Sequence, residues 1–144
     1  MPVPSAALIS WLSTLGGWDS NQETGVPFYL GPYIPDSPDQ VCVITPTPGA
    51  GYRLEGATDV CGFQARVRGP QGGDGSPGAQ SAAEALAHRL DALIFAAAYP
   101  VTLPSGQVIV TAHRLSGAPA PLSGEPDDAD RFSFVCQYLI EVSN

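Results

Sequence analysis

The last fourteen residues, R-F-S-F-V-C-Q-Y-L-I-E-V-S-N, constrain the fold more than any other stretch of this chain. Phe132, Phe134, Cys136, Tyr138, Ile140 and Val142 fall on one side of an extended backbone; Ser133, Gln137 and Glu141 share the other with Val135 and Leu139. A period of two over this length predicts a β-strand with one buried face. Chain ends fray unless something ties them down, so the strand must close a sheet. Phe132, Phe134, Tyr138 and Ile140 are assigned to the core. Val135 and Leu139 are assigned to a partly apolar outer face.

Upstream, Leu8, Ile9, Trp11, Leu12 and Leu15 recur near the helical period, and Gly16 and Gly17 follow, which predicts a short amphipathic helix over residues 4–15. Residues 26–48 hold prolines and aromatics in alternation and read as an ordered, irregular arm with a short edge strand. V-C-V-I-T at 41–45 reads as a strand. In residues 62–68, Phe63, Ala65 and Val67 alternate with Gln64, Arg66 and Arg68, so one face should be buried and the other wet. Ala82, Ala83, Leu86, Leu90, Leu93, Ile94 and Ala97 make one stripe of the clearest helix, with Ser76 as N-cap before Pro77 and Pro100 as its end. A strand over 107–115, a loop over 116–130 and the closing strand complete the chain. The expected class is α+β, a single domain over residues 1–144. Its antiparallel β-sheet has about four main strands and two helices packed on one face, in the order α-β-β-α-β-β. A Pro-rich arm at 26–40 and flexible loops at 69–78 and 116–130 decorate it.

Composition excludes several classes of function. The chain has no lysine; six arginines face fourteen acids for a formal net charge of -8, which argues against a surface built to neutralise phosphates. The charged fraction of 14% is low, and 16 glycines and 15 prolines predict stiff loops around a modest core. Cys42, Cys61 and Cys136 are odd in number and each sits in a strand-like run, so buried reduced thiols are favoured over a disulfide between two of them. No basic residue precedes the N-terminal apolar stretch and no run approaches bilayer length, so the expectation is a soluble protein made in the cytoplasm, with no membrane partner.

No motif for catalysis stands out. G-D-G-S-P-G at 73–78 matches G-x-G-x-x-G, but the following strand, Q-V-I-V-T-A-H-R-L, lacks the terminal acid of a dinucleotide site, and Asp74 would face a pyrophosphate. Glu84 and His88 at i, i+4 read as a surface pair. Glu125, Asp127, Asp128 and Asp130 lack calcium-loop spacing and read as a solvated acidic turn. No serine or cysteine has a nucleophile's setting. The expectation is therefore no enzyme, no cofactor and no metal. Two readings remain open from the residues: a subunit that contacts other protein chains, or a lone domain in which Val135 and Leu139 pack under the N-terminal helix or the proline arm.

The run Q-A-R-V-R-G-P at 64–70, a glycine loop, a helix of type A-x-x-L-x-x-x-L at 83–90, a strand, a proline-rich loop and the closing D-R-F-S-F-x-x-x-Y-L-I-E-V at 130–142 appear in an order that resembles the tail terminator proteins of long-tailed bacteriophages, also known as minor capsid or minor tail proteins. The resemblance covers roughly residues 40–144. The Pro-rich arm and the acidic loop have no counterpart in it. It implies a structural virion protein, made in the host bacterial cytoplasm, that forms a hexameric ring on the head-proximal end of the tail tube. Such a ring stops tube polymerisation and presents the head-tail joining surface. Its partners would be further copies of itself, the major tail tube protein and the head completion or connector protein. Genomic DNA would pass through the ring without sequence-specific recognition. The alternatives are a head-side connector or stopper, or a small non-enzymatic protein-binding domain. Candidate interface residues are Val135, Gln137 and Leu139 on the terminal strand, and Gly69, Pro70, Gly72, Gly73 and Gly75 in a loop expected to order only in the assembly.

Overall fold

A computed structural model describes residues 3–53, 58–72, 77–115 and 117–143, with the side chains of residues 49–53 and 77 left aside. The elements are α1 (Ser5–Ser13), β1 (Phe28–Leu30), β2 (Val41–Arg53), β3 (Thr58–Arg68), α2 (Pro77–Ala96), β4 (Val101–Thr102), β5 (Val108–Arg114), β6 (Ala120–Pro121) and β7 (Ser133–Ser143). The strands form one seven-stranded sheet in the order β1-β2-β3-β7-β5-β4, with β6 beside β7. β1 runs parallel to β2, and every other pairing is antiparallel. The sheet is mixed and curls into a half-barrel.

This corrects the expected antiparallel sheet of about four strands in the order α-β-β-α-β-β. The physical reason is length. β4 and β6 have two residues each and β1 has three, too few for an alternating pattern to emerge, and β1 lies within the proline-rich arm. β2 was undercounted for the opposite reason. It extends past V-C-V-I-T through prolines and glycines to Arg53, accommodating them with a register shift between Thr47 and Gly51.

β7 is central, paired along its whole length with β3 and on its other side with β5 and β6. That is what ties down the end of the described chain. Its alternation matches the structure: Phe134, Cys136, Tyr138, Ile140 and Val142 are buried and the residues between them half-buried. Phe63 stacks on its cross-strand partner Tyr138 with ring centroids 5.1 Å apart. Both helices contribute to one core with this face. α1 supplies Ala7, Leu8, Trp11 and Leu12, and α2 supplies Ala79, Ala83, Ala87, Leu90 and Ile94, with Leu86, Leu93 and Ala97 at its margin.

α1 has Pro4 at its N-cap and no side-chain cap, so burial of its apolar stripe holds it rather than its ends. α2 lies close to the end of β3. A Cβ at Gly69 would come within 2.6 Å of the Ala83 Cβ, and one at Gly72 would collide with the Ala79 side chain, so glycine is what lets the helix approach. The N-cap expected at Ser76, and Gly73 and Gly75, lie outside the described residues. All three cysteines are free thiols. Burial pushes the Cys42 thiol well above its ordinary range.

Candidate functional site

The second face of the sheet carries the polar groups, and it is not wet as the alternation of residues 62–68 suggested. Val41 and Val43, on the side of β2 opposite Cys42 and Ile44, are 0% and 2% exposed. The arm lies over them: a Cβ at Gly31 would come within 2.7 Å of the Val43 Cγ1. Arg68, on the corresponding face of β3, is only 2% exposed. Its Nε donates to the Asp39 carbonyl at 2.8 Å and its Nη2 to the Pro38 carbonyl at 2.8 Å. Burial and the like charge of Arg131 lower its pKa, while Asp127 and Asp39 oppose that shift.

Arg131 holds the same arm from the other side. Its Nη1 donates to the Asp36 carbonyl and lies 3.2 Å from an Asp39 carboxylate oxygen, while its Nε donates to Asp127 at 3.0 Å. Asp127 also accepts from the backbone N–H groups of Ala129 and Arg131, each at 3.0 Å, closing a tight turn in which Asp130 has a positive φ of 58°. Burial alone would raise the Asp127 pKa. The two backbone donors and the Arg131 guanidinium outweigh it and hold the carboxyl below its ordinary value. The expected solvated acidic turn is thus, at Asp127, a structural clamp.

Between these two satisfied arginines and the terminal strand lies Arg66, directly opposite Val135 in the β3–β7 register. Its Nε is one of two buried side-chain polar atoms among the described residues with no protein partner; the other is Thr47 Oγ1. Burial lowers the Arg66 pKa, and only the nearby charge of Asp127 acts against that. Two adjoining cavities meet at Arg66. One of about 520 Å³ runs past Ile34, Asp36, Asp39 and Asp128, and a second of about 170 Å³ past Leu122, Ser123, Pro126 and Ser133. Arg66, Asp127 and Arg131 line both.

Of the interface residues expected from the sequence, Val135, Gln137 and Leu139 lie together on this second face, all half-buried. Gly69 is buried and Gly72 half-buried; both are engaged in packing against α2, and their N–H groups donate to the carbonyls of Phe132 and Asp130. Glu84 and His88 form the expected exposed pair at 3.7 Å. Sequence reasoning missed Arg66, Arg68, Arg131 and the Asp36–Asp39 segment. The available signal was the placement of three of only six arginines in two strand-flanking stretches.

The two ends of the sheet differ from its middle. β1 has no strand outside it among the described residues, and Leu30 and Tyr33 beside it are 55% and 74% exposed. At the other end β4 covers only Val108 and Ile109 of β5, and among the described residues no strand pairs with residues 110–114 on that side. Val110 and Leu115 are exposed along that strip, and Phe95 of α2 is exposed under the Arg114 guanidinium. Among the described residues no cluster of His, Cys, Asp or Glu could hold a metal ion, and no helix is long and apolar enough to cross a membrane.

No family model and no curated protein matches this chain. A solved structure whose name states no function is similar over 94% of this chain and 89% of its own, at 18% identity and a TM-score of 0.45. That likeness is too distant to carry a fold assignment or a function.

Proposed function

We propose that this protein is a structural subunit of a ring, joined head to tail through its two sheet edges, and that the ring serves as a tail terminator. In that role it would cap the head-proximal end of a phage tail tube and offer the surface to which the head completion protein joins. The observation that carries the reading is the pair of bare edges at opposite ends of one sheet, each flanked by exposed apolar side chains. Unpaired N–H and C=O groups beside apolar side chains invite pairing with another chain. Two different edges make the contact heterologous, and a heterologous contact closes into a ring where the rotation allows. Prolines at 119 and 121 blunt the strip beyond β5, which confines pairing to residues 110–114. The resemblance of the motif order at 64–142 to that of tail terminators is what suggests the hexamer and the tube as partner. A head-side connector would use the same edges.

Light scattering after size exclusion tests this, with and without tube protein. Wild-type protein should form closed oligomers, and Val110→Lys and Leu30→Lys should each be monomeric. Mixed together, those two variants should give dimers and nothing larger, because each keeps one competent edge. A wild-type chain that stays monomeric at every concentration and with tube protein overturns the reading, as do single variants that assemble normally.

A further inference from the structure

We infer that β1 of one copy pairs antiparallel with β5 of the next in a single register, Leu30 opposite Ala112 and Phe28 opposite Arg114, so that the ring carries one continuous sheet. The inference rests on the ring reading and adds the direction and register of the contact.

The backbone groups each edge can offer follow from the bonds it already makes. At β1, the Cys42 N–H donates to the Pro27 carbonyl at 2.9 Å and the Gly31 N–H to the Ile44 carbonyl at 2.8 Å. Successive residues of a strand aim their N–H and C=O groups to opposite sides, so Tyr29 bonds β2 while Phe28 and Leu30 point outward. Neither flank extends that set. The Val26 N–H is taken by the Asp19 carbonyl at 2.7 Å, and Pro32 has no N–H. At β5, the Leu115 N–H donates to the Gln137 carbonyl at 2.8 Å, which makes His113–Leu139 and Thr111–Glu141 the other hydrogen-bonded pairs with β7. Ala112 and Arg114 therefore point away from β7. Among the described residues each edge thus presents two residues at the same spacing, and one antiparallel register satisfies all four.

Direction and face agree with that match. β1 and β2 run one way, β3 the other, β7 with β2 again and β5 against it, so β5 is antiparallel to β1 within the sheet. Rotation from copy to copy keeps strand sense and outer face, so β5 meets the next β1 antiparallel. The four outward residues also share a face. Phe28 and Leu30 lie beside Cys42 and Ile44 of the helix-side core, Ala112 belongs to that core, and Arg114 reaches Asp91 of α2 at 3.6 Å. Tyr29 and His113 lie on the second face and form the pair without hydrogen bonds between them. The helices of every copy then stay on one side of the ring wall. Two-fold pairing of β5 with itself would set His113 against His113 and both Arg114 side chains on one face of a two-residue contact, whereas β1 carries no charge to oppose either.

Hydrogen exchange on the wild-type chain, free and assembled, tests the pattern without a substitution. The amides of Phe28, Leu30, Ala112 and Arg114 should slow at least about tenfold on assembly, while those of Tyr29, Thr111 and His113, already bonded inside the sheet, stay as they were. Register is read by cross-linking, with the three thiols of the wild type setting the background. An antiparallel pair without hydrogen bonds holds its Cα atoms about 4.5 Å apart, within the reach of a disulfide. Tyr29→Cys with His113→Cys in one chain should oxidise to a covalent ladder that ends at the closed ring, and a mixture of the two single variants to dimers of one of each. Tyr29→Cys with Thr111→Cys, two residues out of register, should cross-link about tenfold less. Rings that form without the four-amide pattern, or without the Tyr29–His113 link, overturn the inference and leave the ring reading standing. A chain that never assembles overturns both. So does slowing of Ala112 and Arg114 alone with self-dimers of His113→Cys, or of Phe28 and Leu30 alone with self-dimers of Tyr29→Cys, since either shows a two-fold contact. If a cysteine variant does not fold, exchange on the wild type decides alone.

Discussion

The two faces of this sheet are covered by different means. On one, helices α1 and α2 bury an apolar row mainly by packing, with one hydrogen bond from the Tyr138 hydroxyl to Asp91 of α2: Phe63, Tyr138, Leu90 and Ile94 are each 1% exposed or less. On the other, an irregular, proline-rich arm is held by arginines that bond its carbonyls. The first face draws its stability from area removed from water and from packing density. The second relies on hydrogen bonds to charge, each modest in net value but severe when one partner is lost. The difference teaches that a helix covers a sheet by repeating a pattern, while a proline-rich arm without such a pattern must be fastened at points.

The comparison can be broken hardest on the helix face. Phe63→Ala removes the ring stacked on Tyr138 and should cost about 3–5 kcal/mol, with a matching fall in the urea midpoint, as cavity formation in a close-packed core predicts. Arg68→Met should cost less, about 1.5–3 kcal/mol for hydrogen bonds to a charged group. The more telling readout is local. The amides of Asp36, Ser37, Asp39 and Gln40 should lose hydrogen-exchange protection well before the core does, whereas a global loss in step with the core would mean the arm is not fastened at this point.

A smaller effect sits on Asp127 and depends on pH. Its carboxyl is held below the ordinary value in the folded protein, so its contribution is present above the unfolded pKa of about 3.9 and disappears as pH falls through the folded one. Denaturant melts of wild type and Asp127→Asn between pH 2 and about pH 5 should therefore converge at the acid end and diverge above about pH 4. Parallel curves across that window would remove Asp127 from the clamp. The smallest effect sharpens the comparison within the second face itself. Arg66→Met should change stability by less than about 0.5 kcal/mol, because its buried Nε has no protein acceptor to lose, in contrast to Arg68 two residues along. A loss near that of Arg68→Met would show that Arg66 also fastens the second face.

What the sequence determined by itself is the helix face. The period of two in residues 132–142 and the helical stripe through Ala83, Leu90 and Ile94 placed the core residues correctly, because burial of one side of a regular element leaves a regular trace. It also specified free thiols and an exposed Glu84–His88 pair. Strand number and direction were decided only in three dimensions. β1, β4 and β6 are strands because a neighbour supplies hydrogen bonds, not because their two or three residues prefer the form. The same holds for the second face. Gln64, Arg66 and Arg68 carry the alternation of a solvated surface, and nothing local distinguishes it from one. The arm that buries Arg68 lies about thirty residues away and the Asp127–Arg131 turn about sixty, so the cluster exists only once the sheet has brought β2, β3 and the entry to β7 side by side.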